Sequence, residues 1–288
     1  MQHRDLAQIR LFHIFDKKWA SKIVLATGQI ERLRMRSNMK QLSLFLKHWL
    51  MAFLRPRPLI GIFYLPRYIG HWIKYARSAR GQRLRLIDSQ PCLVDWSTHT
   101  PFDAHYFYQG AWLARRLAQV KPGKHVDVGS SVMTMSVLSA TVETIFVDYR
   151  PLKAALPGLT SLSGNILHLP FEDGSVRSLS CLHVIEHIGL GRYGDPIDPE
   201  GSWKAAAELQ RIVCPGGKLY LSLPIGRERI CFNAHRVHSP DAVLKMFPQL
   251  RLAEFSYVDD DGQYHEDQGI ERAGRLEYGC GMFQFEKL

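Results

Sequence analysis

Between residues 125 and 217, short apolar runs alternate with polar turns in an order that few folds can accommodate. The first run ends in an acidic turn, His125-Val126-Asp127-Val128-Gly129-Ser130-Ser131. The second, 144–147, ends on Asp148. Gly164-Asn165-Ile166 follows, and then an apolar run closing on His183-Val184-Ile185-Glu186-His187. A helix-patterned stretch, 205–213, meets Cys214-Pro215-Gly216-Gly217 ahead of a further strand, 218–223. Strands separated by helical stretches need crossover connections, so the pattern predicts a parallel sheet covered by helices.

Strands are expected near 124–128, 143–147, 160–163, 178–184 and 217–223, with two more near 251–257 and 279–286. Helices are expected near 132–140, 151–156 and 201–213, with one over 102–120 ahead of the first strand. Another should follow Ser239-Pro240-Asp241, where Ser239 can cap and Pro240 can occupy the first turn. Asp259-Asp260-Asp261-Gly262 reads as a turn rather than a metal cluster.

The net charge of +10 conceals an asymmetry. Residues 1–85 hold 18 Lys and Arg against 3 Asp and Glu, a balance of +15; residues 86–288 hold 19 against 24, a balance of −5. A basic, mainly helical extension over 1–85 is therefore expected beside a mildly acidic α/β domain over 86–288. Five cysteines without a Cys-x-x-Cys pair point to reduced thiols and a cytoplasmic setting. The absence of an N-terminal apolar run before a small-residue cleavage site argues against a cleaved secretory signal.

Within the extension, Leu42, Phe45, Leu46, Trp49, Leu50 and Phe53 recur at three- and four-residue spacing, which predicts a helix over 39–54 ended by Pro56 and Pro58. A second aromatic-rich segment, 59–75, contains Pro66, expected to kink or break it. Lys47, Arg55, Arg57 and Arg67 interrupt the apolar residues, so no run approaches the roughly 20 needed to span a bilayer. Three uses remain open for this arm: packing on the main domain, lying peripherally on an anionic membrane surface at its inner face, or binding nucleic acid.

The strand and turn pattern resembles the class I S-adenosylmethionine-dependent methyltransferases. His187-Ile188-Gly189-Leu190-Gly191-Arg192-Tyr193-Gly194-Asp195-Pro196-Ile197-Asp198-Pro199-Glu200-Gly201 is similar to a signature of the domain of unknown function 268 family, and Phe232-Asn233-Ala234-His235-Arg236-Val237 to its second signature. The resemblance covers roughly residues 100–286. It implies a Rossmann-like, seven-stranded methyltransferase sandwich with S-adenosyl-L-methionine as cofactor.

On that resemblance, Asp127, Gly129 and Ser131 shape the turn beside the cofactor's methionine portion. Relatives carry further glycines in this turn; here Ser131 is small enough, whereas Met133 would crowd the turn or start the helix early. Asp148, 19 positions after Gly129 and ending the second strand, can accept bonds from both ribose hydroxyls. Asn165 and Ile166 would meet the adenine, Asn165 through its amide oxygen.

His183-x-x-Glu186-His187 matches a zinc-peptidase pattern, but its place at a strand end argues against that chemistry, and no metal is expected. His187, Asp195 and His235 are candidate acid–base residues. Arg192, Tyr193 and Arg236 are candidates for gripping an acceptor. The functional expectation is methyl transfer to a small molecule or glycan acceptor, at a hydroxyl of a glycan or lipid-linked saccharide. Two alternatives stay open: a non-catalytic methyltransferase-like scaffold recruited to membrane or partners, and an RNA methyltransferase.

Overall fold

The computed structural model describes residues 58–78 and 84–288, together with Met39, Leu42, Ser43 and Leu46. These four are helical. The other residues of the expected 39–54 helix, Trp49 and Phe53 among them, lie outside the described residues. Two units divide the chain, Met1–Pro101 and Phe102–Leu288.

In the first unit, α1 (Pro58–Ser78) runs through Pro66 without a break. The proline was expected to kink or break it, and the helix is continuous. A proline removes one donor from the ladder, but neighbouring turns can bridge that gap in a helix of 21 residues. Arg67 on α1 donates to the carbonyl of Leu93 at 2.9 Å and lies over the ring of Trp96 at 4.4 Å. No helix among the described residues is long and apolar enough to cross a membrane.

The second unit opens with α2 (Ala104–Val120). Asp103 caps it by accepting from the Tyr106 N–H at 3.1 Å, and Lys121 ends it in a left-handed conformation. Trp112, Leu113, Arg116 and Leu117 are buried at helical spacing on one face. Then come β1 (Lys124–Val128), α3 (Val132–Leu138), β2 (Glu143–Asp148), β3 (Leu159–Ser163) and β4 (Val176–Leu182). They are followed by α4 (Gly201–Ile212), β5 (Val213–Ile225), β6 (Arg229–Cys231), β7 (His235–Val237) and α5 (Pro240–Met246). The unit closes with β8 (Leu250–Val258), β9 (Tyr264–His265) and β10 (Gly279–Lys287).

The main sheet has the order β3-β2-β1-β4-β5-β10-β8-β9. β1 to β5 pair in parallel, while β10 inserts antiparallel between β5 and β8. The seven expected strands all form. The short β9 and the β6–β7 hairpin were not expected, being only two and three residues long.

The helix expected at 151–156 does not form. Pro151 and Pro157 bracket it too closely, and strand partners take the backbone groups nearby. The Leu152 N–H donates to Ser161 Oγ at 2.9 Å, and Leu159 pairs back to Leu156.

The two faces of the sheet differ. On one, Val126, Val128, Leu179, Leu219 and Leu221 pack with Ala205, Leu209 and Ile212 of α4 and Val243 and Met246 of α5. On the other, the core of α2 and α3 surrounds a buried polar seam. There His125 contacts Ser178 Oγ and Ser180 Oγ, each at 2.8 Å. Ser180 Oγ in turn donates to Asp127. Because side chains alternate across a strand, His125 and Asp127 on β1 face the same side as Ser178 and Ser180 on β4.

Candidate functional site

The carboxyl ends of β1, β2 and β4 converge on a cleft, where an open parallel sheet places ligands. The cleft comprises adjoining cavities. One of about 480 Å³ is lined by Gly129, Ser131, Asp148, Arg150 and Tyr193. A second of about 320 Å³ shares Gly129, Asp148 and Tyr193 and continues to Asn165 and Ile166. A third of about 430 Å³ is lined by His105, Tyr106, His183, His187, Arg192 and His235.

Gly129 makes the close approach possible. Its φ is +69°, and a Cβ there would lie 3.2 Å from Val184 Cγ1 and 3.9 Å from Asp148 Oδ2. An alanine would therefore be strained and would protrude into the cleft. Asp148 ends β2 with its carboxylate in the cleft, oriented by the Arg150 N–H at 2.7 Å. Asn165 Oδ1 accepts from the Leu167 N–H at 3.0 Å, leaving a second lone pair. Met133 neither crowds the turn nor lines the cleft: α3 starts at Val132 and turns Met133 outward, 72% exposed.

Asp127 lies behind the cleft rather than in it. Fully buried, it accepts from the Ser130 N–H at 3.1 Å, the Ser130 hydroxyl at 2.6 Å and the Ser180 hydroxyl. Burial pushes its carboxyl up to about 6 against the lowering effect of these bonds. Its role is to tie the turn after β1 to β4, since Ser130 Oγ also accepts from the Leu182 N–H at 2.9 Å.

The loop 188–200 is built from its own polar groups. Asp195 accepts from the N–H groups of Gly189, Gly191 and Tyr193 at 2.7, 3.3 and 3.2 Å. Burial opposes its charge, but these bonds prevail and hold the carboxyl below the usual range. Gly189, at φ +80°, could not carry a Cβ, because the carbonyl of Asp198 packs directly against it.

Arg236 is buried and donates to the carbonyls of Ile188, Asp198 and Pro199 at 2.6, 3.1 and 3.3 Å. Asp195 and Arg236 are thus engaged in holding the loop. Asp195 also lines the cavity that continues to Asn165 and Ile166.

His187, His235, Arg192 and Tyr193 do meet at the cleft. The His187 Nδ1–H donates to the carbonyl of Ala234 at 2.7 Å, which leaves Nε2 as the acceptor nitrogen. Burial holds His187 and His235 below the usual histidine value, so both are neutral near pH 7. Arg192 donates to the same Ala234 carbonyl at 3.0 Å. The guanidinium carbons of Arg192 and Arg150 lie 5.1 and 4.9 Å from the centre of the Tyr193 ring.

Sequence reasoning missed His105, Tyr106, Arg150, Tyr278 and Cys280. His105 and Tyr106 open α2 directly after its Asp103 cap; their rings lie 5.5 and 5.3 Å from that of His183. Tyr278 and Cys280 arrive with the antiparallel β10. Polar aromatic residues at a helix start and a strand start were the available signal.

The parallel run β3-β2-β1-β4-β5, extended by one antiparallel strand between β5 and β8, decides the fold. It is the class I methyltransferase fold. Residues 175–266 match the family described as Caenorhabditis protein of unknown function, DUF268, which includes the loop 188–200 and the β7 segment. The resemblance read from the sequence therefore holds.

Several solved structures are similar. The YcgJ protein from Bacillus subtilis has 15% identity and a TM-score of 0.43, covering 63% of this chain and 98% of its own. The N-methyltransferase NodS from Bradyrhizobium japonicum WM9, in complex with S-adenosyl-L-homocysteine, has 13% identity and a TM-score of 0.43, covering 63% and 87%. The Burkholderia thailandensis 1,6-didemethyltoxoflavin-N1-methyltransferase has 13% identity and a TM-score of 0.42, covering 64% and 78%. No curated protein sequence matches the chain.

Proposed function

We propose that the chain is an S-adenosylmethionine-dependent methyltransferase. Its cofactor would lie over Gly129, Asp148 and Asn165, and its acceptor in the histidine-lined cavity alongside. The observation that carries this reading is the pairing of Gly129 and Asp148 across one cleft. A bare backbone at φ +69° leaves the space a Cβ would fill, and a carboxylate stands beside it. Asp148 would accept from the ribose hydroxyls, and Asn165 and Ile166 would border the adenine.

When bound, the cofactor supplies an electrophilic methyl group that an acceptor takes by in-line displacement. The protein's part is placement and proton removal. His187, neutral and with Nε2 as acceptor, would take the proton of an acceptor hydroxyl. Arg192, Tyr193 and His235 would orient the acceptor. We propose a hydroxyl of a glycan or lipid-linked saccharide as the acceptor, which the polar lining of that cavity supports. The basic residues 1–85 would hold the enzyme near an anionic surface that presents such a lipid.

Calorimetric titration with S-adenosylmethionine and S-adenosylhomocysteine, beside Asp148→Ala, tests the reading. Micromolar binding is expected, weakened roughly 10- to 100-fold in the variant by the loss of charge-assisted bonds. Absence of binding to the folded protein would overturn it.

A further inference from the structure

Beneath the acceptor-side cavity, three residues from three separate elements converge. His105 comes from the start of α2, His183 from the end of β4 and Cys280 from the start of β10. One ligand-type atom from each lies within 4.8 Å of the other two. His183 Nε2 and Cys280 Sγ are 3.4 Å apart. Two ligands on a tetrahedral zinc, with bonds of roughly 2.3 Å to sulfur and 2.05 Å to nitrogen, stand about 3.5 Å apart. The pair is therefore already at ligand spacing.

The other nitrogen of His183 is also committed. Its Nδ1–H donates to Glu186 Oε1 at 2.9 Å, and Glu186 is fully buried. A carboxylate on the far nitrogen of a histidine fixes the tautomer whose Nε2 lone pair points at a metal. Glu186 Oε2 is buried and has no hydrogen-bond partner among the described residues. His183 holds this position at φ +55°, a left-handed conformation that residues with a Cβ seldom adopt. A strained backbone position and a buried carboxylate thus hold the His183 imidazole, and the same carboxylate oxygen lies 3.6 Å from His187 Nε2.

We propose that His105, His183 and Cys280 form a zinc site whose fourth position opens into the cavity lined by Tyr106, His187 and His235. A thiolate with two imidazoles suits zinc over harder cations. Binding would displace the thiol proton and any proton on the ligating nitrogens. Three protein ligands and an open position are the arrangement of zinc sites that bind a water or a substrate heteroatom. This zinc-peptidase-like sequence thus supplies only His183 as a ligand, with Glu186 behind it, and His187 stays with the cleft.

The test is cobalt(II) and zinc(II) loading of the full chain without S-adenosylmethionine, so its outcome is independent of the methyl-transfer proposal. One metal per chain is expected after desalting. The cobalt form should show a near-ultraviolet thiolate-to-metal band and the strong visible absorption of four-coordinate cobalt. Cys280→Ser should abolish the thiolate band and weaken zinc binding on the order of 100-fold. Glu186→Gln should weaken it about 10- to 100-fold while keeping the band.

His105→Ala, at the cavity wall, gives a variant that does not depend on the buried pair and should also weaken binding. No thiolate band in the folded protein would overturn the proposal. So would a band that survives Cys280→Ser, which would assign the metal to other thiols such as Cys214 or Cys231, or unchanged affinity in His105→Ala.

Discussion

The guanidinium of Arg236 donates to the carbonyl of Ile188 at 2.6 Å, joining β7 to the residue that follows the short turn bearing Glu186 and His187. Its other contacts reach Asp198 and Pro199 at the far end of the same loop, and Ser202 Oγ just beyond it at 3.3 Å. One side chain therefore clamps both ends of the loop bordering the cleft. Arg236→Met should lower stability by about 3 kcal/mol, because three carbonyls, those of Ile188 and Asp198 on half-buried residues, lose their donor. Urea denaturation checks this, and weaker S-adenosylmethionine binding should accompany it.

Gly129→Ala should be destabilised by about 1–2 kcal/mol from the left-handed backbone alone. The new methyl would also press on Val184 at 3.2 Å. Thermal denaturation reads the first effect and calorimetry the second, as a loss of cofactor binding. A variant binding as tightly as the native chain would show that the cofactor does not pass over this turn.

The seam of His125 and Asp127 predicts opposed pH effects. Burial lowers His125 to about 3 from an ordinary 6.5. Its neutral form is therefore favoured in the folded state, and the stability tied to it is full above pH 6.5 and lost as pH falls toward 3. Burial raises Asp127 from 3.8 to about 6. Its contribution is full below pH 3.8 and lost as pH rises through 6.

Each group changes stability by about 1.4 kcal/mol per pH unit inside its window. Between pH 4 and 6 the two nearly cancel. Asp127→Asn should unmask the histidine, giving a stability that climbs with pH from 4 to 6.5 in denaturant titrations. A flat profile in that variant would contradict the assignment.

Arg116, buried on α2, donates to Glu254 through Nε at 2.9 Å and to Glu266 through Nη1 at 3.1 Å. Trp112 Nε1 donates to the same Glu254 at 3.3 Å. Arg116→Met should cost about 3 kcal/mol by leaving Glu254 largely enclosed without its cation. Adding Glu254→Gln should recover most of that loss, and a double-mutant cycle in urea measures it.

The strands were legible because each is a short apolar run bounded by turn residues, and Asp148 was legible because it ends one of them. The 151–156 helix failed where two prolines stood too close together for a pattern of apolar spacing to matter. Asp195 and Arg236 were picked out as charged residues in a polar loop. Most of their partners are backbone groups, however, which carry no signature in sequence, so their part in holding the loop was not legible. His105, Tyr278 and Cys280 were missed for a different reason. Nothing local announces that residues 105, 183 and 280 meet, since only the insertion of β10 beside β5 brings them together.

That insertion also sets an order of events during synthesis. β10 is made after every other strand of the sheet, yet it lies between β5 and β8. Until it emerges, β8 has no neighbour linking it to β5, and His183 lacks the thiol of Cys280. A nascent chain stalled before residue 279 would hold the parallel half of the sheet with an open edge. The surroundings of His183 would be completed only by this last strand of the sheet, so a partly made chain would hold the cleft with one wall unfinished.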